Sequence, residues 1–213
     1  MSLAGTFEHK FLEYMQAEMT QDLAHDINHV LRVVKAAKFL CQKENALEEV
    51  VVPAAYLHDC FSFGKNHPNR SQSSAIAADK AIDFLTDIEY PSQYLDAIHH
   101  AIVAHSFSAN VETRTIEADI VQDADRLDAL GAIGISRCLQ VSSKLGRPLY
   151  SNSDPFCANR TPDDSLYAID HFYTKLLSLA KRMNTNTAMK EAEVRSVFMQ
   201  AYLEQMKNEV QSS

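Results

Sequence analysis

The chain has 213 residues, 46% hydrophobic and 23% charged, an ordinary globular composition that excludes disorder and low complexity. A formal charge of −8 at pH 7 argues against extended nucleic acid or an anionic membrane as partner, because a polyanion would be repelled. Five glycines and six prolines are too few for a turn-punctuated β-sandwich or barrel and favour helices.

Residues 7–19 carry Phe7, Phe11, Leu12 and Met15 at helical spacing. Asp22 or Asp26 is placed to cap a second helix over 26–44 (DINHVLRVVKAAKFLCQKE), whose apolar stripe includes Ile27, Val30, Leu31, Val34 and Ala37. A third helix over 46–60 contains Pro53, where it should kink or start. A polar loop spans 62–70, and helical patterns resume over 72–86, 92–105 and about 115–145. Pro148, Pro155 and Pro162 mark a loop over 146–164, followed by amphipathic helices over 165–183 and 188–210. With no alternating strand pattern, repeat or linker, the expected fold is all-α, in a single domain over 1–213. The opening MSLAGTFEHK lacks the pattern of a signal peptide, and no apolar run approaches the roughly 20 residues of a membrane span, so a cytoplasmic location is expected.

Cys41, Cys60, Cys138 and Cys157 are scattered without a CxxC pair, which argues against a zinc–thiolate cluster or a disulfide framework. Histidine is the unusual count: seven of nine lie between positions 25 and 105. His25 and His29 are four apart and share one helix face. His58 and Asp59 end the apolar segment AAYLHDC, and His99, His100 and His105 follow on another helix. QDADRLDALGAIGI places Asp123, Asp125 and Asp128 at the start of a helical run. Each feature has an ordinary structural reading: a satisfied polar histidine, a helix-end carboxylate, a chance dipeptide. Two imidazoles and two carboxylates together would make a mixed nitrogen and oxygen site for Mn, Ni, Co, Fe, Zn or Mg.

In order, His29, the His58-Asp59 doublet and Asp125 resemble the HD superfamily of metal-dependent phosphohydrolases. HDINHVLRV resembles that family's first motif, AAYLHDC its second and DADRLDALGAIGISR its last. The resemblance covers the core motifs over 22–137, and the helices over 165–210 resemble those of its small bacterial members. It implies His29, His58, Asp59 and Asp125 as metal ligands, with one divalent ion per chain favoured over two. It also implies a small phosphorylated substrate, with a nucleotide as the leading expectation.

Around that set, His25, Arg32, Lys65, Arg70 and His100 are candidates for binding substrate phosphate, and Lys65, His67 and Arg70 in the polar loop are placed to close over it. Asp59 is a catalytic candidate as a ligand, and Asp128, His105 or the ion's own water is the candidate for catalytic proton transfer. Arg126 is placed to pair with Asp123 or Asp128. Many relatives carry Glu or Lys soon after the doublet, whereas this chain has Cys60, Phe61, Ser62 and Phe63 there, so an acid at that position is absent. The expected activity is hydrolysis of a phosphoester or phosphoanhydride. The alternatives are a non-catalytic nucleotide-binding regulator on the same fold and a purely structural helical domain.

Overall fold

The computed structural model describes residues 2–19, 26–64 and 67–211. These residues form helices and turns and contain no strand. The chain divides into two compact units, 1–125 and 126–213. Among the described residues, no helix is long and apolar enough to cross a membrane.

The first unit comprises α1 (Leu3–Glu18), α2 (Ile27–Glu44), α3 (Glu48–Leu57), α4 (Ser73–Asp87), α5 (Leu95–His105) and most of α6 (Ile116–Asp128). α1 begins four residues earlier than its apolar spacing predicts, because Ser2 caps it by accepting the Gly5 N–H. Its buried face carries Phe11 and Met15. Phe11 lies 5.7 Å from the ring of Tyr56 and 6.0 Å from that of Tyr90. Of the two candidate caps for α2, Asp26 accepts the backbone N–H of His29 at 2.8 Å. Asp22 lies outside the described residues. α2 ends at Asn45, whose left-handed φ of 54° suits an asparagine.

Pro53 sits inside α3 rather than at its start. A proline there cannot donate to the carbonyl four residues back, that of Glu49. The buried Tyr90 hydroxyl fills the gap, donating to the Glu49 carbonyl at 2.7 Å. The helix therefore stays helical through its last turn, which delivers His58 and Asp59. α3 packs against α1, α2 and α5, and α4 packs against α5.

The second unit begins in the last turn of α6 and contains α7 (Gly131–Lys144), a π-helical turn at Phe172–Leu176, the short α8 (Leu177–Leu179) and α9 (Asn186–Gln211). The single helix expected over 115–145 is broken at residues 129–130. The last turn of α6 tightens, with Ala129 N–H donating to Arg126 O and Leu130 N–H to Leu127 O. Gly131 then takes a φ of 69°, which favours glycine. Arg195 of α9 packs over it and donates to the Leu127 carbonyl at 2.7 Å.

The proline-marked loop is anchored by Asp170, whose carboxylate is fully buried. Arg160 grips it with two N–H···O bonds of 2.5 and 2.7 Å, and the Asp163 N–H adds a third at 2.6 Å. Burial alone would raise the Asp170 pKa, but the Arg160 guanidinium and the Asp163 N–H outweigh it and hold the carboxyl below its ordinary value. Its contribution to stability is therefore present above the unfolded-state pKa near 3.9 and lost as pH falls through the lower folded value. Arg160→Gln should unfold at a higher pH on acid titration. Its stability deficit should be largest near neutrality and shrink below about pH 4. Circular dichroism across pH measures both. Coincident acid transitions would contradict the anchor role.

Candidate metal centre

His29, His58, Asp59, His105 and Asp125 come from four helical segments of the first unit and meet. α2 contributes His29 on its first turn, where the Asp26 cap fixes the backbone. His58 and Asp59 follow the end of α3, His105 ends α5, and Asp125 lies on α6. Oδ2 of Asp59 is 3.6 Å from His29 Nε2 and 3.5 Å from His58 Nε2, while its Oδ1 is 3.8 Å from His105 Nε2. Asp125 Oδ1 is 3.5 Å from His29 Nε2. The His58 ring centroid is 5.4 Å from that of His29 and 4.9 Å from that of His105.

The donor set fits a metal ion on two grounds. First, the separations of 3.5–3.8 Å fall below the roughly 4.2 Å that two opposed ligands, each about 2.1 Å from one ion, would span. Second, the ring tautomers are set for ligation. A carbonyl only accepts, so the 2.9 Å bond from His58 Nδ1 to Ala55 O places the proton on Nδ1. The 2.6 Å bond from His105 Nδ1 to Ile102 O does the same. In both rings Nε2 is left as an acceptor directed at Asp59, the form that a metal ligand such as His58 or a proton acceptor such as His105 requires. His58 Nε2 is buried and makes no hydrogen bond among the described residues. Such a group normally requires a partner.

Electrostatics point the same way. Burial, outweighing the attraction of Asp59, pushes the His58 pKa down to about 4 and keeps the ring neutral at pH 7. Burial raises the Asp125 pKa, but His29, His58 and His105 outweigh it and hold the carboxyl below its ordinary value. Neutral imidazole and charged carboxylate are the forms that bind a divalent ion.

The remaining candidates have other surroundings. Arg32 is half-buried on α2, near enough to Asp26 to help hold that carboxyl below its ordinary pKa. Arg70 donates Nη1 to the Phe63 carbonyl at 2.7 Å, clamping the loop after the doublet. His100 turns its Nε2 to the Arg114 N–H at 3.1 Å and so supports the α5–α6 connection. Asp128 belongs to the second unit and is buried against Arg137, which donates to its carboxylate at 2.7 Å and to its carbonyl at 3.2 Å. A role as proton acceptor would require breaking that pair. Arg126 donates to the Arg182 carbonyl. His25 and Lys65 lie outside the described residues.

The sequence pattern of the HD domain matches residues 26–130, a span that holds all five clustered residues. An HD-superfamily hydrolase from Bacillus thuringiensis has a crystal structure that matches at 31% identity and a TM-score of 0.76, over 99% of this chain and 100% of that one. This chain belongs to the HD superfamily. Protein YpgQ of Bacillus subtilis is 32% identical over 202 residues, 92% of this chain and 90% of YpgQ. The crystal structure of YpgQ in complex with ADP matches with a TM-score of 0.75 at 31% identity, over 95% of this chain and 97% of that one. Protein L803 of Acanthamoeba polyphaga mimivirus is 30% identical over 186 residues, 74% of this chain and 76% of L803. The all-α fold read from helical periodicity is thus the HD-domain fold.

Every residue of this cluster stands out in the sequence by residue type and spacing. Phe61 and Phe63 stood out there only for the acid they replace and His67 only as a loop group able to close over phosphate, although three aromatic rings within eight residues of the His58-Asp59 doublet were visible as a signal.

Proposed function

We propose that this HD protein is a phosphohydrolase that uses one divalent ion to cleave a phosphoester or phosphoanhydride bond of a nucleotide. The observation that carries the reading is the pair of histidines, His58 and His105, with Nδ1 tied to the helix backbone and Nε2 facing the Asp59 carboxylate. A structural histidine pair would have no need to converge on a carboxylate in this tautomer. An ion held by His29, His58, Asp59 and Asp125 would supply Lewis acidity toward a phosphoryl oxygen and make water a competent nucleophile near neutral pH.

The protein's own groups divide the remaining work. Asp59 and Asp125 supply negative charge that offsets the cation and orient the facing imidazoles. His105, 7% exposed, holds an acceptor Nε2 at the edge of the cluster, where it can take a proton from attacking water. Arg32, one turn beyond His29, offers a fixed positive charge toward phosphate oxygens. The ADP bound by the YpgQ relative supports a nucleotide as the substrate class.

Phosphate release from nucleoside mono-, di- and triphosphates, assayed with Mn²⁺, Ni²⁺, Co²⁺, Zn²⁺ and Mg²⁺ in turn, tests the reading. His105→Ala should retain the metal and nucleotide binding while turnover falls at least roughly tenfold, the low side of the usual 10²–10⁴-fold for such groups. Nucleotide binding without product under any of these ions would instead establish a non-catalytic regulator.

A further inference from the structure

The loop that follows the His58-Asp59 doublet carries an aromatic stack with no evident role in holding the fold. The rings of Phe63 and His67 lie parallel, 4.1 Å apart with an interplanar angle of 2°. Phe61 meets Phe63 edge-on at 5.0 Å and 85°, and the Lys80 ammonium stands 5.9 Å from the centre of the Phe61 ring. His67 is exposed, and Phe61 and Phe63 are half-buried, so the stack is a surface feature rather than core.

The backbone beneath it is held independently of the rings. The Phe63 N–H donates to Ser73 Oγ at 3.1 Å, and the Phe63 carbonyl accepts from Arg70 at 2.7 Å. The Asn69 N–H donates to His67 Nδ1 at 3.1 Å, which orients the imidazole. The stacked pair covers one face of each ring, and the exposed His67 side of the stack is held out from a braced loop. Four Cα steps of 3.80 Å separate Asp59 from Phe63, so the Phe63 Cα lies within about 15 Å of the Asp59 Cα. A nucleoside di- or triphosphate bridges such a distance between its phosphates and its base.

The geometry points to Phe63 and His67 as a stacking platform for the base of the nucleotide whose phosphates reach the metal centre. This inference rests on the nucleotide reading above and adds to it how the base is held. A flat π face accepts any base, so such a platform distinguishes nucleotides from base-free polyphosphates more strongly than it distinguishes one base from another.

Calorimetric titration of the full chain with ADP and with inorganic tripolyphosphate, both with Mn²⁺ present, separates the possibilities. Phe63→Ala should weaken ADP binding about 5- to 150-fold, the range for loss of one stacked base. Tripolyphosphate affinity should be unchanged, and Phe63→Tyr should restore ADP binding. His67→Ala, at an exposed position, should weaken ADP in the same direction. Equal losses for ADP and tripolyphosphate, or no loss for ADP in Phe63→Ala, would overturn the platform while leaving nucleotide binding intact. A wild-type chain that binds no ADP would overturn both the platform and the nucleotide reading.

Discussion

Asp59→Ala is expected to leave the protein folded and nearly free of metal, where the wild-type chain retains about one divalent ion. The Asp59 carboxylate faces three imidazole nitrogens at 3.5–3.8 Å, more of the cluster than any other single group faces among the described residues. Its removal deletes a bond and one of two negative charges that offset a divalent cation. Loss of a residue that merely orients a ligand typically costs 10–100-fold in metal affinity, so loss of Asp59 should cost more than about 100-fold. Elemental analysis after gel filtration and a titration with Mn²⁺ measure content and affinity, and far-ultraviolet circular dichroism verifies the fold. Equal metal content in the variant and the wild type would sink the assignment of the centre.

Gly134→Ala is expected to destabilise the second unit by about 1–3 kcal/mol, the usual cost of forcing extra volume into a packed site. Alanine in a helix interior normally stabilises relative to glycine by roughly 0.5–1 kcal/mol, so the sign itself is diagnostic. A Cβ at Gly134 would collide with the Ala129 carbonyl, which the sharp α6–α7 corner folds against α7. Backbone cannot swing aside as a side chain would. Gly64→Ala is the matched control, because a Cβ there meets no atom within 4 Å. Thermal unfolding should show Gly134→Ala several degrees below wild type and Gly64→Ala close to it. A Gly134→Ala melt at or above the wild-type temperature would show that the corner relaxes freely.

Periodicity carried most of the fold. The apolar stripe of α2 and the pattern of α9 lie near where 3.6-residue spacing puts them, because those helices bury one face each. The α6–α7 corner was hidden: LDALGAIGI reads as one apolar helix, and only the positive φ of Gly131 and the packed Gly134 reveal a break. The clustered histidines and aspartates were legible because their chemistry is unusual in an apolar helical chain and their order matches a family pattern. His100 and His105 illustrate the limit. Five residues at about 100° each leave them roughly 140° apart around α5, so only one of the two can face the cluster. Sequence spacing does not say which. Likewise Arg70 is visible as a cation, but its use as a clamp on the Phe63 carbonyl depends on how the 62–70 loop folds back. The Arg160–Asp170 anchor had no periodic signal because it braces an irregular segment.

The two Nδ1–H bonds, from His58 to Ala55 and from His105 to Ile102, reach carbonyls three residues earlier on the same helices. Ring direction is thus set by helix register, before any ion arrives. A zinc finger, whose ligands are gathered by the metal, unfolds when it is stripped. A centre assembled by backbone register should survive chelation as a folded apoprotein and accept a different ion. Affinities at such nitrogen and oxygen sites follow the general order of the divalent first-row metals, so cellular supply would choose the occupant. One polypeptide would then carry a different ion in cells with different metal economies.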